Sequence, residues 1–145
     1  MKKVNVSIVY NKDYDKILMC YRTKNPYKGK YNFVGGKVEP GEDDEMAAYR
    51  ELEEETGITK EDIQLTHLMD FYYHMYDLEL EVFVGKLNKD VEVVDEVNHL
   101  VWMDKTDNFF DAEKYAGEGN IGHMLLNVDM YEQELFGPQK ELVKR

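Results

Sequence analysis

The sequence predicts an α/β (α+β) fold in which a mixed β-sheet lies between helices. Short runs rich in β-branched and aromatic residues are separated by turn residues, as in strands. Two longer segments instead have helical patterns and helical end signals. The order that results, β-β-β-α-β-β-β-α, favours one mixed sheet covered by helices over a doubly wound fold.

Six runs are predicted to be strands, and the turns between them indicate how they pair. The strands cover residues 4–10, 16–21, 31–34, 64–74, 78–87 and 99–103. Asn11 begins a turn that makes the first two strands a hairpin. Gly35 and Gly36 are expected to end the third strand. A turn near Asp77 pairs the fourth strand with the fifth, and Trp102 of the last strand is expected to pack on the core.

Both helices are predicted from their ends and their apolar faces. Asp43 or Asp44 suits the N-cap of the first helix, where acidic residues complement the helix dipole. That helix is expected to end at about Thr56, because Gly57 suits the left-handed position that follows a helix. The second helix is predicted over residues 121–136. The length of 145 residues suits a single domain, which we expect to span the whole chain, 1–145.

Charge limits the partners that the chain can bind. It has 18 basic and 30 acidic residues and a net charge of −12, which disfavours a long nucleic acid as a partner. Residues 36–58 contain nine acids and two bases, and therefore carry seven of the twelve net negative charges. Such a window can still bind a small phosphate compound when a divalent cation mediates the contact.

Cysteine usage and hydropathy indicate the compartment. Cys20 is the single cysteine, so no internal disulfide forms, and its apolar neighbours predict a buried strand residue rather than a nucleophile. No apolar run approaches the length of a membrane span, and Met1 is not followed by an apolar signal segment. We therefore expect a cytoplasmic protein without a membrane partner.

One face of the first helix is predicted to hold a cation. At about 100° per residue, Glu51, Glu54 and Glu55 fall within an arc of about 100°, whereas Glu53 points away from them. Like charges at these spacings repel each other, and a bound cation relieves that repulsion. Oxygen-only ligands favour Mg²⁺ or Mn²⁺ over zinc. A solvated acidic face is the alternative interpretation of the glutamates alone.

The wider spacing decides between these two interpretations. Gly36 is followed after five residues by Glu42, and after seven more by residues 50–58, which read RELEEETGI. This pattern fills every fixed position of the Nudix box, GX5EX7REUXEEXGU, in which U is a bulky aliphatic residue. The chain therefore resembles the Nudix hydrolases, and in particular the MutT-like oxidised-purine nucleoside triphosphate pyrophosphohydrolases. The resemblance implies the Nudix α/β/α sandwich.

The resemblance also implies a role for each residue of the box. Its metal ligands, for Mg²⁺ or for Mn²⁺ in its place, are the carbonyl of Gly35 and the carboxylates of Glu51, Glu54, Glu55 and Glu96. Arg50 orients a glutamate by a charge-assisted bond. Glu54 and Glu96 are the two candidates for the general base. Glu42 ties the loop to the helix, Gly36 and Gly41 supply unusual backbone angles and room near phosphate, and Gly57 ends the helix.

Substrate-binding residues are also implied by the resemblance. Asn32 lies where MutT-like enzymes read the purine edge, since an amide offers both a donor and an acceptor; a turn or strand-edge asparagine is the alternative. Ser7 and Arg22 lie where such enzymes line the nucleotide cleft. The paired acids of those enzymes are missing from residues 107–120, which leaves the preference for an oxidised base open.

The implied reaction is hydrolysis of a nucleoside diphosphate linkage. The expected substrate is a nucleoside triphosphate, oxidised purines included, which is cut to the monophosphate and pyrophosphate. ADP-ribose or a dinucleoside polyphosphate is the alternative substrate. A Nudix module that binds a nucleotide without catalysis is the alternative from another class. The net charge of −12 disfavours an RNA 5′ end. The sequence leaves the oligomeric state open, a homodimer included.

Overall fold

The computed structural model describes residues 1–94 and 99–137. The strands are β1 (Lys2–Tyr10), β2 (Lys16–Tyr21), β3 (Tyr31–Asn32), β4 (Val34–Lys37), β5 (Thr66–Tyr73), β6 (Leu78–Lys86) and β7 (His99–Asp104). The helices are α1 (Asp44–Thr56), α2 (Asn120–Met130), α3 (Glu132–Phe136) and a 3₁₀ turn at His74–Tyr76. None of the helices in these two ranges has the length and hydrophobicity needed to span a bilayer.

The strands form one mixed sheet, as predicted. β1 lies at its centre and pairs in parallel with β6, and β5 continues the sheet antiparallel to β6. The other edge of β1 is shared, because β4 pairs with its first half and β2 meets it at Tyr10. β2 also pairs with β3 and with β7. Each of these strand pairs other than β1 with β6 is antiparallel.

Helices cover both faces of this sheet. Adjacent residues of a strand point to opposite faces, so Ile8 and Val9 of β1 belong to different cores. Val9 packs in the core that contains Leu52 of α1. Ile8 packs in the opposite core, which contains Val128 of α2. The predicted α/β/α sandwich is therefore confirmed.

Helix α1 begins and ends where the sequence predicts. The side chain of Asp43 caps its start by accepting a hydrogen bond from the N–H of Met46 at 3.1 Å. Gly57 ends it in the left-handed region, with φ of 83°, and its N–H donates to the carbonyl of Glu53 at 2.9 Å. A side-chain cap of this kind stabilises a helix by about 1 kcal/mol.

The strand predicted over residues 31–34 is wrong in its extent. β3 pairs with β2 and β4 pairs with β1, and the chain changes partner at Phe33. Gly35 and Gly36 continue β4 instead of ending the strand. The physical reason is the close approach of β1, since a Cβ on Gly35 would lie 2.0 Å from the carbonyl oxygen of Asn5.

The single helix predicted over residues 121–136 is divided in two. The helical conformation is interrupted at Tyr131, where φ is −110° and ψ is 22°. After this break, α3 places the ring of Phe136 against the rings of Tyr10 and Tyr14, at centroid distances of 5.9 and 5.3 Å. Apolar spacing alone predicts the helical faces but not this break.

Several smaller predictions are confirmed. β5 and β6 pair as a hairpin, and Asp77 at their turn has a left-handed φ of 48°. Trp102 packs against the core beneath α1. Cys20 is a free, buried thiol in β2.

Candidate active site

Strand β4 and helix α1 bring two glycines against two glutamates. The N–H of Gly35 donates to Oε1 of Glu55 at 2.9 Å. Gly36, the next residue of β4, lies against the carboxylate of Glu51. The end of the strand and the second half of the helix are therefore joined through carboxylates that the sequence predicts to be functional.

Each of these glycines is required by a different neighbour. A Cβ on Gly36 would lie 1.7 Å from Oε2 of Glu51, so the carboxylate occupies the space of a side chain. A Cβ on Gly35 would instead meet the backbone of Asn5. The expectation of an unusual backbone angle is confirmed at Gly41, where φ is 81°, and is wrong at Gly36, where φ is not positive.

Arg50 holds three glutamates at once. Its Nε and one terminal nitrogen donate to the two carboxylate oxygens of Glu42, at 2.7 and 2.9 Å. The other terminal nitrogen donates to Glu51 at 2.8 Å and to Glu54 at 3.2 Å. Arg50 also donates to the carbonyl oxygen of Lys37 at 3.0 Å. The guanidinium thus fixes two helix carboxylates relative to the loop that follows β4.

These contacts shift the pKa values of both partners. The hydrogen bond from Arg50 is the main cause that lowers the pKa of Glu42, and the backbone N–H of Glu39 adds to it. The pKa of Arg50 is raised, first by Glu42 and then by Glu51. The Arg50–Glu42 pair is therefore held in its ionised form.

Among the described residues, the hydrogen bonds and ion pairs of Gly35 and Arg50 involve four carboxylates and one guanidinium. Glu42, Glu51 and Glu54 share the charge of Arg50, and Glu55 adds a fourth carboxylate beside Gly35. The side chain of Glu51 is 15% exposed and that of Glu54 is 58% exposed, so a solute can reach the group from the Glu54 side. Carboxylate and carbonyl oxygens are the donors that Mg²⁺ prefers, so these residues fit such an ion in charge and in ligand chemistry.

Glu96 lies outside the described residues, and its proposed metal and base roles stay predictions.

β7 begins at His99, which pairs with Tyr21 at the end of β2. Arg22 follows Tyr21, and its Nε donates to the carbonyl oxygen of Pro26 at 3.0 Å.

Asn32 lies on the face of the sheet that α1 covers, and the charges of Glu55 and Arg22 both act on Cys20 of that face. Asn32 is directly opposite Cys20, and directly opposed residues share a face of a sheet. Burial is the main cause that raises the pKa of Cys20; Glu55 raises it further and Arg22 lowers it, so both charges act on the same thiol. Oδ1 of Asn32 accepts a hydrogen bond from the N–H of Phe33 at 2.8 Å.

Ser7 does not line an open cleft, which corrects the expectation for it. It shares a face of β1 with Val9 beneath α1, and it is 1% exposed. β1 is a central strand, and its neighbours at Ser7 are Val34 of β4 and Phe83 of β6. A nucleotide therefore has no access to this hydroxyl in the structure.

Two features of the site were not predicted. Oδ1 of Asn5 accepts a hydrogen bond from the N–H of Gly36 at 3.2 Å, so a side chain of β1 helps to hold β4. The sequence signal that could have indicated this contact is a polar residue, Asn5, within an apolar strand. Tyr27 donates to both carboxylate oxygens of Glu118, at 3.0 and 2.9 Å, and so joins the loop after β2 to the segment before α2.

Comparison with known proteins identifies the sequence pattern. Residues 1–122 match the model of the NUDIX domain. An ADP-ribose pyrophosphatase of Methanocaldococcus jannaschii is 47% identical over 55 residues, which are 38% of this chain and 32% of that protein. An 8-oxo-dGTP diphosphatase of Escherichia coli is 32% identical over 75 residues, or 50% of this chain and 58% of that protein. The matched segments thus span less than two thirds of either relative.

Solved structures share the fold over most of the chain. A structure from a study of MutT from Aliivibrio salmonicida and Vibrio cholerae has a TM-score of 0.69 at 25% identity, and the match covers 89% of this chain and 98% of that one. An Ap4A hydrolase of C. elegans has a TM-score of 0.72 at 24% identity, with coverage of 91% and 99%. The second likeness concerns the fold alone.

Proposed function

This chain belongs to the NUDIX family, and we propose that it hydrolyses a phosphoanhydride bond of a nucleoside diphosphate derivative with Mg²⁺ as cofactor. The substrate that we propose is a nucleoside triphosphate, cut to the monophosphate and pyrophosphate. The observation that carries the proposal is the network in which Arg50 holds Glu42, Glu51 and Glu54 beside the Gly35–Glu55 contact.

The proposed metal ligands are the carbonyl of Gly35 and the carboxylates of Glu51, Glu54, Glu55 and Glu96. When bound, Mg²⁺ neutralises phosphate charge and polarises phosphorus towards attack by water. An excess of carboxylates around a single guanidinium supports this assignment. The same carboxylates without a metal would repel a polyphosphate.

The residues of the chain have separate parts in the reaction. Arg50 positions the carboxylates of Glu51 and Glu54, since it donates to both from one nitrogen. Glu54 or Glu96 accepts the proton of the attacking water. The oxygen of that water bonds to phosphorus, and the bond to the bridging oxygen breaks, with pyrophosphate as the leaving group. Because Glu54 is 58% exposed, it can meet the water without rearrangement of the helix.

Base recognition is assigned to Asn32, and a place in the lining of the nucleotide cleft is assigned to Arg22. The support for Asn32 is its position on the face that α1 covers, and the support for Arg22 is that its charge acts on the same thiol as the charge of Glu55. The 8-oxo-dGTP diphosphatase among the relatives supports both. An amide that already accepts one hydrogen bond retains a lone pair and two N–H groups for a purine edge. The single buried cysteine supports the cytoplasm as the proposed compartment.

The experiment is a Mg²⁺-dependent assay over a substrate panel. The panel contains canonical and oxidised nucleoside triphosphates, ADP-ribose and a dinucleoside polyphosphate, and the products are separated by chromatography. We expect a nucleoside triphosphate to have the highest kcat/KM, with pyrophosphate rather than orthophosphate as the co-product. Absence of turnover on every member would overturn the enzymatic proposal.

ADP-ribose is the second candidate because a specific observation favours it. The ADP-ribose pyrophosphatase has the higher identity of the two relatives, 47% against 32%. A higher kcat/KM for ADP-ribose than for every triphosphate would replace the first substrate with this one. The proposed metal ligands would stay the same.

The role of Asn32 is tested by its change to alanine. We expect Asn32→Ala to raise KM for a purine substrate by about tenfold, because the hydrogen bonds between the amide and the purine edge are lost. The effect on KM for a pyrimidine substrate should be smaller. Asn88→Ala is the matched control, because this exposed asparagine follows β6 and lies outside the proposed substrate-binding residues. Equal effects of Asn32→Ala on purine and pyrimidine substrates would refute base recognition.

A further inference from the structure

A buried carboxylate lies on β6, outside the Arg50 network. Glu81 is 1% exposed, and its Oε2 lies 4.0 Å from Nζ of Lys3. Lys3 in turn pairs at 3.2 Å with Asp44, the first residue of α1. Oε1 of Glu81 has no hydrogen-bond partner within residues 1–94 and 99–137. The carboxyl group of Glu81 also interacts with that of Asp44, so Oε1 is the one oxygen of this group that lacks a partner among the described residues. An unpartnered polar oxygen at this depth is unfavourable, and it therefore indicates a ligand.

A β-bulge brings two further potential ligands to the same place. His67 pairs with Phe83, whereas Asp70 pairs with Glu81, and the register shifts between His67 and Met69. Residues three apart in a regular strand point to opposite faces. The extra residue of the bulge puts His67 and Asp70 on one face, the face of Glu81.

The three side chains converge. One ligand atom from each of His67, Asp70 and Glu81 lies within 4.8 Å of the other two. Nε2 of His67 is 2.5 Å from Oδ1 of Asp70, and a proton must lie between atoms this close. The His67 ring stacks on Phe83 at 4.5 Å, which limits its orientation. The side chains of His67 and Asp70 are 40% and 44% exposed, so an ion has a route from solvent.

We propose that His67, Asp70 and Glu81 bind a first-row divalent transition metal ion such as Zn²⁺, at a site distinct from the proposed Mg²⁺ site. The donor set of one imidazole and two carboxylates suits Zn²⁺, in contrast to the oxygen donors around Arg50. The ion replaces the proton between His67 and Asp70 and pairs with the buried Oε1 of Glu81. It links β5 to β6 beneath the first turn of α1.

The sheet register separates this site from the box. Asn5 of β1 has Gly36 as its partner on one side and Glu81 on the other. Two strand spacings, or about 10 Å, therefore lie between the backbones of Gly36 and Glu81. Asn5 lies between the two. Its Oδ1 accepts a hydrogen bond from the N–H of Gly36, and its Nδ2 is buried without a hydrogen-bond partner among the described residues.

The experiment is a calorimetric titration with Zn²⁺ after removal of metal by a chelator. The full chain carries Glu54→Gln and Glu55→Gln, so that two proposed Mg²⁺ ligands are absent. We expect one equivalent of Zn²⁺ to bind and to raise the melting temperature. Adding His67→Ala should weaken Zn²⁺ binding by at least about a hundredfold, more than a typical loss of an outer-shell contact. Adding His123→Ala, an exposed histidine of α2, should leave it unchanged.

Two further measurements make the result decisive. Asp70→Asn should also weaken binding, and circular dichroism checks that each variant is folded. Co²⁺ used as a spectroscopic substitute should give a visible absorption band that His67→Ala removes. No saturable Zn²⁺ binding, or equal affinity in the His67→Ala and His123→Ala variants, would overturn the proposal. The wild-type chain is expected to hydrolyse its substrate with Mg²⁺ alone whether or not Zn²⁺ binds to His67, Asp70 and Glu81. A failure of the Zn²⁺ proposal can therefore be distinguished from a failure of the proposed function.

Discussion

Gly36→Ala tests whether the carboxylate of Glu51 must lie against β4. The added Cβ would lie 1.7 Å from Oε2, 2.2 Å from Cδ and 2.8 Å from Cγ of Glu51. Ordinary contact between such atoms needs about 3.5 Å. The carboxylate must therefore move by close to 2 Å. All three atoms belong to the far part of one flexible side chain, so the strand and the helix can stay in place.

The expected loss is one of activity and not of folding. A displacement of about 1 Å in a reacting group can lower a rate by about a hundredfold, which is about 2.7 kcal/mol. We expect Gly36→Ala to lower kcat/KM by at least this factor and to change the melting temperature by only a few degrees. Kinetics at saturating Mg²⁺ and thermal denaturation followed by circular dichroism measure the two quantities.

Gly35→Ala is the matched control for this prediction. Its Cβ would lie 2.0 Å from the carbonyl oxygen of Asn5, which is backbone and cannot rotate away. Overpacking of this kind costs about 3 kcal/mol, or roughly 10 °C in melting temperature for a chain of this size. A Gly36→Ala variant with kcat/KM within about threefold of wild type would refute the reasoning, as would a loss of stability equal to that of Gly35→Ala.

Three other predictions concern the side chains of Arg50, Cys20 and Asp62. Arg50→Lys keeps the charge but loses the two-pronged contact with Glu42, so steady-state kinetics should give a kcat/KM at least about tenfold lower; an unchanged value would contradict the positioning role. Cys20, whose pKa burial raises, should react with a thiol reagent at least about a hundredfold more slowly in the folded chain than in denaturant, and equal rates would show that it is accessible. The N–H of Thr59 and the charge of Lys89 lower the pKa of Asp62 from its ordinary value of 3.8. The ionised form of Asp62 therefore stabilises the fold at pH values above 3.8, its ordinary pKa. This stabilisation is lost as the pH falls through the lowered pKa of the folded state. Asp62→Asn should lower the melting temperature at pH 7 and flatten its acid dependence, whereas parallel pH curves would contradict this assignment.

Local chemistry explains why the start of α1 could be predicted to within one residue and its end at about Thr56. The helix starts at the cap formed by the Asp43 side chain and ends at the left-handed Gly57. Each signal lies within one turn of the helix end that it determines. The acidic face also follows from helical spacing alone. The contact of Arg50 with Glu54 spans four residues, within the reach that the sequence defines.

Contacts between distant segments explain what the sequence could not predict. Gly35 and Gly36 are turn residues in most local contexts, and only the approach of Asn5 on β1 makes them strand residues. The cluster on β5 and β6 depends on a bulge, which changes the face of Asp70 without any local signal. A motif comparison places Ser7 beside the cleft, but its burial depends on which strands flank β1.

The central claim is that the acidic face of α1 holds the divalent cation on which hydrolysis depends. The most direct measurement is a Mg²⁺ titration of substrate hydrolysis by the wild type and by Glu55→Gln and Glu53→Gln variants. Glu55→Gln keeps an oxygen that can accept from the N–H of Gly35, so the fold should persist. Glu53 is exposed on the other side of the helix. We predict that Glu53→Gln follows the wild-type curve and that Glu55→Gln loses at least about a hundredfold in kcat/KM, or about 2.7 kcal/mol. Hydrolysis that persists in a chelator, or a Glu55→Gln curve that coincides with that of Glu53→Gln, would contradict the claim.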